Sequence, residues 1–162
     1  MRTWDEVVKK ALEVYLHRDE YAYWYGAKGE VLTDEVMDEL IAEEPVFFSK
    51  YTPSQIRQFK DFARGKIGLD CSGFVGLCTG INSWSNGLWN LCYDKSSDVY
   101  QAVAGALLWM PGHVGLDIGY GFGLDFPRMG STCELFRHKE HSRNWTGCGK
   151  LKGIDYDGSD NR

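Results

Sequence analysis

The sequence predicts an α+β fold in which N-terminal helices pack on a C-terminal antiparallel sheet. Apolar residues recur at helical spacing in the first half of the chain, and the spacing changes to two after Pro111. No repeat, low-complexity segment or linker divides the 162 residues, a length that suits one hydrophobic core. We therefore expect a single domain over residues 1–156 and a flexible polar tail over residues 157–162.

Several segments of the chain are predicted to be helical. A capping residue followed by apolar residues at spacings of three and four is typical of a helix start, and proline is favoured in the first turn. These signals predict helices over residues 3–17, 33–43, 52–65 and 70–80. Residues 81–95 are rich in Asn, Ser, Gly and Trp, which favours an irregular loop, and Ser96-Ser97-Asp98 is expected to cap a further helix that runs to residue 105.

The second half of the chain carries the strand signals. Apolar residues occupy every second position from 114 to 118, a pattern typical of a half-buried strand. Gly119-Tyr120-Gly121 is a turn sequence, so residues 122–126 are predicted to return as the second strand of a hairpin. A last strand is expected over residues 150–156.

Charge and hydropathy restrict the partners of the chain. It carries 18 Lys and Arg against 23 Asp and Glu, a net charge of −5, and has no basic run, so nucleic acid is not expected as a partner. No apolar run approaches the roughly 18–20 residues that span a bilayer, and the charged N-terminus lacks the apolar stretch of a secretory signal. We expect a monomer that is made in the cytoplasm, has no membrane partner, and leaves the cell by lysis or a specialised export device.

Among the five cysteines, Cys71 is the candidate nucleophile. An odd number leaves at least one thiol unpaired in a chain of cytosolic type. Cys71 stands where a loop becomes a helix, and the N–H groups of a helix N-terminus stabilise a thiolate and can hold a developing oxyanion. Cys78, seven residues further along the same helix, is expected to be a buried structural cysteine.

A thiolate nucleophile needs a base, and His113 is the candidate because it begins a regular strand. If the hairpin loop is centred on Tyr120, Asp125 shares the face of His113 at a diagonal distance of about 7–8 Å, which an imidazole and a carboxylate can bridge. A slip of the register by one residue would turn Asp125 to the other face. Asp117 also shares the face of His113 and is the competing candidate to orient the base.

A zinc site is a weaker hypothesis. Its possible ligands do not have the spacing of a closed structural site, and the two histidines among them lie in a charged stretch that is typical of a solvated loop. We therefore expect neither a metal nor a cofactor. The possible ligands are Cys133, His138, His141 and Cys148.

Two motifs resemble those of the NlpC-type cell-wall cysteine peptidases. Residues 69–75 (LDCSGFV) are similar to the nucleophile motif of that family, and residues 111–119 (PGHVGLDIG) are similar to its histidine motif. Residues 145–156 resemble its closing strand, and residues 23–29 (YWYGAKG) resemble the aromatic–glycine segment that borders its substrate cleft. The resemblance covers most of the chain and implies a papain-like fold.

The resemblance also implies a role for each matching residue. Cys71 would be the nucleophile, His113 the general base and Asp125 the third catalytic residue. The implied reaction is hydrolysis of amide bonds in peptidoglycan stem peptides, between a D-γ-glutamyl residue and the following diamino acid, as in a phage or prophage lysin or an exported toxin. The implied substrate-binding residues are Tyr25, near the oxyanion, and Asp70 and Ser72, around a polar part of the substrate.

Departures from the family pattern leave other readings open. Residues 30–69 form a longer stretch than many relatives have, which predicts a helical insertion beside the cleft. Ala106 stands where relatives often have Asp, and Asp117 replaces a common aromatic residue. The alternatives are a peptidoglycan amidase, an acyltransferase or deamidase of the same fold that acts on a substrate outside the wall, and a non-catalytic wall-binding module.

Overall fold

A computed structural model of the chain describes residues 1–138 and 143–158. Within these ranges the chain forms six α-helices: α1 (Trp4–Leu16), α2 (Asp34–Glu43), α3 (Pro45–Phe48), α4 (Pro53–Ala63), α5 (Cys71–Thr79) and α6 (Ser85–Asn90). The strands are β1 (Arg2–Thr3), β2 (Tyr21–Tyr23), β3 (Lys28–Val31), β4 (Ile67–Leu69), β5 (Cys92–Ser96), β6 (Leu107–Met110), β7 (His113–Gly119), β8 (Phe122–Asp125), β9 (Glu134–Arg137), β10 (Gly147–Leu151) and β11 (Ile154–Asp155). None of the helices in the described ranges has the length and apolar character needed to cross a bilayer.

The strands form one large sheet and two small ones. The large sheet has the order β5-β10-β6-β7-β8-β9, and all its neighbouring strands are antiparallel. A three-stranded sheet, β2-β4-β3, lies before α5 in the chain, and β1 pairs with β11. Most of the helices precede the large sheet, so the α+β prediction is confirmed.

The predicted helix starts are confirmed where capping residues signal them. Thr3 and Thr52 form capping boxes at α1 and α4, and the Thr33 hydroxyl accepts from the amide of Val36 at the start of α2. Asp70 caps α5, and Gly80 ends it in the left-handed conformation with φ 76°. These ends depend on neighbouring residues alone, which is why the sequence reveals them.

The stretch between α5 and the hairpin differs from the prediction. Residues 81–95 contain α6 and most of β5, and the helix expected over residues 96–105 is one 3-10 turn, Val99–Gln101, after which Ala102 is extended. No side chain caps α6, so its start has no local signal. The helix contributes Trp89, whose ring stacks on Trp109 of β6 with the centroids 4.8 Å apart. A contact between distant segments therefore decides the structure here.

Helix α5 lies at the centre of the domain. It contacts β7 on one side and α1 on another, and nearly all of its residues are buried. Phe74 of α5 packs on Phe126, which follows β8, with the ring centroids 5.1 Å apart. A helix that is buried all round is held by its surroundings rather than by an amphipathic face. This packing holds the first residue of α5 against the first residue of β7.

A buried carboxylate holds the N-terminus of α5 in place. Asp70 is 3% exposed, and its Oδ1 accepts from the Gly73 amide at 2.6 Å and from Lys28 Nζ at 2.8 Å. Its Oδ2 accepts from the Gly26 amide at 3.2 Å, and Lys28 Nζ also donates to Ser72 Oγ at 2.6 Å. Asp70 therefore joins the helix to the segment between β2 and β3.

Replacing this cap is expected to cost more stability than replacing an exposed one. Asp70→Ala removes a buried acceptor and leaves its donors without a partner, so we expect the free energy of unfolding to fall by about 3 kcal/mol. Thr33→Ala removes an exposed cap of α2 and should cost about 1 kcal/mol. Urea unfolding of both variants measures the two losses. Equal losses would show that Asp70 acts only as an ordinary cap.

Candidate active site

The structure brings Cys71 close to His113, which lines an open cleft. Cys71 is the first residue of α5 and is half-buried, and His113 is the first residue of β7. Cys71 helps to raise the pKa of His113, so the thiol lies within electrostatic reach of the imidazole. Nε2 of His113 is bonded to Asp125, which leaves Nδ1 as the ring nitrogen available to the thiol. A thiol and an imidazole in this arrangement can exchange a proton.

The hairpin has the register that the sequence predicts. Leu116 lies opposite Leu124 and Asp117 opposite Gly123, so the loop is centred on Tyr120. Asp125 therefore shares the face of His113, and its Oδ2 lies 2.8 Å from His113 Nε2. Gly115 leaves the space between them open, because a Cβ on it would lie 3.2 Å from the Asp125 Cβ.

Arg143 is the second partner of Asp125. The Asp125 side chain is fully buried, and Arg143 donates to it twice, from Nε to Oδ2 at 2.7 Å and from Nη2 to Oδ1 at 2.9 Å. The same Nη2 lies 3.0 Å from Glu134 Oε1. Since Asp125 and Glu134 lie directly opposite each other on β8 and β9, Arg143 separates two carboxylates that would otherwise repel.

The sequence analysis missed this arginine. Arg143 lies in the charged stretch 137–143, which was interpreted as a solvated loop. A signal was available in principle, because a carboxylate placed at the end of a buried strand needs a cationic partner. Nothing in the sequence, however, says which of the basic residues reaches it.

The environment of His113 favours its charged form. Burial alone would lower the pKa of His113, but the hydrogen bonds to Asp125 and Cys71, and the negative charges of both groups, raise it to about 9. At neutral pH the imidazole is therefore a cation between two acidic groups. A cation beside the sulfur stabilises the thiolate form of a cysteine.

Trp145 holds the His113 ring from one face. The two rings stack with their centroids 5.3 Å apart and 13° between their planes, and Trp145 also packs on Phe136. The tryptophan reaches this position because Gly115 has no side chain; a Cβ there would lie 3.0 Å from the Trp145 ring. The ring contact restricts rotation of the imidazole. The sequence analysis did not assign Trp145 to the site.

Asp117, the competing candidate, has a different partner. Its carboxylate lies 3.0 Å from His138 Nε2, without hydrogen-bond geometry, and it accepts from the Gly119 amide at 2.8 Å. Both side chains of the Asp117–His138 pair are buried. The structure thus places Asp125, and not Asp117, against His113.

The suggested zinc ligands do not form a cluster in the described part of the chain. Among residues 1–138 and 143–158, no group of three or more His, Cys, Asp or Glu side chains is arranged to hold a metal ion. His138 of the proposed set pairs with Asp117, and Cys133 and Cys148 are buried. His141 lies outside the described residues.

The cleft beside His113 has a volume of about 410 Å³. Its lining includes Tyr23 and Tyr25 of the N-terminal half, together with Phe47, Lys50 and Tyr51 around α3. The lining also includes Met110, His113, Arg128 and Arg143. Tyr25 therefore lies in the cleft, as the resemblance implies, and burial raises its pKa so that the hydroxyl stays protonated.

Asp70 and Ser72 lie on either side of Cys71 in the sequence but beneath the surface. Each is 3% exposed, and both side chains bond to Lys28 Nζ. Their observed role is to hold the start of α5. A role in substrate binding stays a prediction.

Comparison with solved structures finds the same architecture in several proteins. The NlpC/p60 domain of the peptidoglycan hydrolase SagA superposes with a TM-score of 0.55 and 20% sequence identity, over 92% of this chain and 99% of that one. The peptidoglycan hydrolase RipB from Mycobacterium tuberculosis gives a TM-score of 0.54 and 17% identity, over 94% of this chain and 67% of that one. The chain has the papain-like fold of NlpC/p60 domains.

More distant structures share the fold as well. NlpC2 from Trichomonas vaginalis has a TM-score of 0.55 and 10% identity over 90% of this chain, and this chain spans 47% of its length and 44% of that of NlpC1 from the same organism. No protein-family model and no curated protein matches the sequence. At these identities the likeness concerns the fold, and the chemistry must be argued from the site.

The pairing of His113 with Asp125 predicts a measurable change in titration. Asp125→Asn removes the charged acceptor that stabilises the imidazolium, so the pKa of His113 should fall from about 9 toward the ordinary 6.5. NMR titration of labelled histidine measures this midpoint. Asp117→Asn is the matched control, because Asp117 pairs with His138, and it should leave the midpoint in place. A fall of the same size in both variants would contradict the assignment.

The cysteines are expected to differ sharply in reactivity. Cys71 is half-buried, whereas burial raises the pKa of each of the other four thiols, that of Cys92 to about 12. Iodoacetamide at neutral pH should therefore modify Cys71 alone in the folded protein and all five thiols in denaturant. Peptide mass mapping locates the label. Labelling of another cysteine before Cys71 would contradict this prediction.

Proposed function

We propose that the chain is a cysteine endopeptidase that hydrolyses amide bonds in peptidoglycan stem peptides. The observation that carries the proposal is the continuous line from Cys71 through His113 to Asp125, which opens on a cleft. A half-buried thiol, a base and an orienting carboxylate in this order are the groups that nucleophilic acyl transfer requires. A module that only binds the wall has no need of this arrangement.

In the first half of the reaction, the Cys71 thiolate attacks the carbonyl carbon of the scissile amide. The carbonyl oxygen becomes an oxyanion, for which we assign the Tyr25 hydroxyl and the amide at the N-terminus of α5 as donors. His113, protonated at neutral pH, gives its Nδ1 proton to the leaving amine, and the C–N bond breaks. The product is a thioester on Cys71 and a free amine.

In the second half, neutral His113 acts as the base. It takes a proton from water, the resulting hydroxide attacks the thioester carbonyl, and the C–S bond breaks to release a carboxylic acid and the thiolate. Asp125 accepts from Nε2 throughout, so Nδ1 remains directed at the sulfur. Arg143 and Trp145 act as positioning residues, since the first holds Asp125 and the second holds the imidazole ring.

Two lines of support point to the wall as the substrate. The structures of the same fold include SagA and RipB, which are both described as peptidoglycan hydrolases. The motifs at residues 69–75 and 111–119 resemble those of the NlpC-type peptidases, which cleave between a D-γ-glutamyl residue and a diamino acid. We assign this bond to the present chain as the specific form of the proposal.

Digestion of purified peptidoglycan tests the function. The wild-type protein should release peptide fragments with new amino termini on the diamino acid, and Cys71→Ala should release none while remaining folded. Cys92→Ala, which alters a thiol outside the cleft, should retain activity. Mass spectrometry of the released fragments identifies the bond. Full activity of Cys71→Ala, or fragments that all arise by cleavage elsewhere in the stem, would refute the proposal.

A further inference from the structure

The cleft has a charge opposite to that of the chain. The chain carries a net charge of −5, yet the described residues that line the cleft include Lys50, Arg128 and Arg143 and neither Asp nor Glu. The imidazolium of His113 adds a further positive charge at neutral pH. A concave site lined by one sign of charge concentrates ligands of the other sign.

The three cations are not equally available to a ligand. Arg143 is committed to Asp125 and Glu134, and Arg128 Nη2 lies 3.3 Å from Glu134 Oε2. Within residues 1–138 and 143–158, by contrast, no carboxylate pairs with Lys50. The charge of Lys50 is therefore the one in this cleft that the protein leaves uncompensated.

Aromatic rings hold Lys50 in position. Its Nζ lies 4.0 Å from the centroid of the Phe47 ring and 5.3 Å from that of Tyr51. The Phe47 ring in turn stacks on Tyr25 with the centroids 3.7 Å apart. Cation–π attraction to these rings restrains the ammonium group without neutralising its charge. A restrained cation loses less side-chain entropy when it binds an anion.

We infer that Lys50 forms a subsite for a free carboxylate of the peptide substrate. The inference rests on the proposed function and specifies which substrates it prefers. In a γ-glutamyl amide, the α-carboxylate lies four bonds from the scissile carbonyl, about 5 Å away. A cleft of about 410 Å³ that contains both His113 and Lys50 accommodates this group together with the scissile bond. The α-carboxylate of the D-glutamyl residue is thus the group that the subsite recognises.

The geometry favours a peptide carboxylate over a separate polyanion. Lys50 lines the same cleft as His113, the proposed base, so an anion bound there belongs to the molecule that is cleaved. The aromatic side chains of Tyr25, Phe47 and Tyr51 provide apolar area for the alkyl part of a side chain beside its charge.

Binding to an inert variant tests the subsite separately from catalysis. The probes are acetyl-L-alanyl-γ-D-glutamyl-L-lysyl-D-alanine and the same peptide with the D-glutamyl α-carboxylate converted to an amide. In the Cys71→Ala background, calorimetry should show that the acid binds about tenfold or more tightly than the amide, as expected for a hydrogen bond to a charged group. Adding Lys50→Gln should reduce the affinity for the acid peptide until it is close to that for the amide peptide. Lys66→Gln is the matched control, because Lys66 lies 3.9 Å over the ring of Phe62 but outside the cleft.

The outcomes separate the two proposals. Equal binding of acid and amide, no binding of the acid at millimolar concentration, or an unchanged preference after Lys50→Gln would each overturn the subsite. If the acid binds selectively and the wild-type protein cleaves neither peptide, the subsite stands and the proposed function fails. With active protein, kcat/KM for the acid should fall about tenfold in Lys50→Gln, and that for the amide should change little.

Discussion

The fully buried carboxylate of Asp125 is the constraint on which the rest of the site depends. A buried charge is stable only when it is paired and hydrogen-bonded, and removal of one partner of such a pair is costly. Asp125 has a bidentate arginine on one side and an imidazole on the other. The carboxylate therefore holds His113 in one orientation and at the same time binds Arg143, which lies before β10. Positive and negative groups alternate from His113 through Asp125 and Arg143 to Glu134, so each group stabilises its neighbours.

The other half of the site depends on a second buried carboxylate. Asp70 binds the first turn of α5 and the segment around Gly26, and its charge is matched by Lys28. The sulfur of Cys71 consequently lies at a helix end that cannot move without breaking buried hydrogen bonds. Cys71 and His113 are thus each held by their own carboxylate, one at a helix end and one on a sheet. Packing of α5 on β7 brings the two halves together.

Local signals made much of this arrangement predictable from the sequence. The caps at Thr3, Thr52 and Asp70 depend on residues within one turn, and the hairpin register depends on the turn at Tyr120 and the register shift just before Gly119. The order Cys71, His113, Asp125 follows from these elements and from the two motifs. The helical content of the stretch before α5 follows from the caps of α2 and α4.

Contacts between distant segments account for what could not be predicted. The sequence pattern places both Asp117 and Asp125 on the face of His113. In the structure Asp117 pairs with His138, whereas Asp125 pairs with both His113 and Arg143. Strands β6 and β9 are too short to show a clear alternation of apolar residues. Strand β9 also ends where the charged stretch begins that the sequence analysis interprets as a loop. Trp145 reaches His113 because Gly115, thirty positions earlier, leaves room for its ring. None of these relations has a periodicity or spacing to reveal it.

The structure also separates the part of the chain that is proposed to perform chemistry from the part that shapes the cleft. The groups proposed to move protons lie on α5, β7 and β8, which are mutually packed and largely buried. The wall that faces them is built around α3, whose Phe47 and Phe48 are anchored to Tyr25 and Trp24. Because α3 touches the site through this aromatic contact and does not bond to His113 or Asp125, its exposed residues can vary without disturbing proton transfer. We therefore expect substrate preference to depend on the α2–α4 segment, while the reaction itself depends on the helix and the sheet.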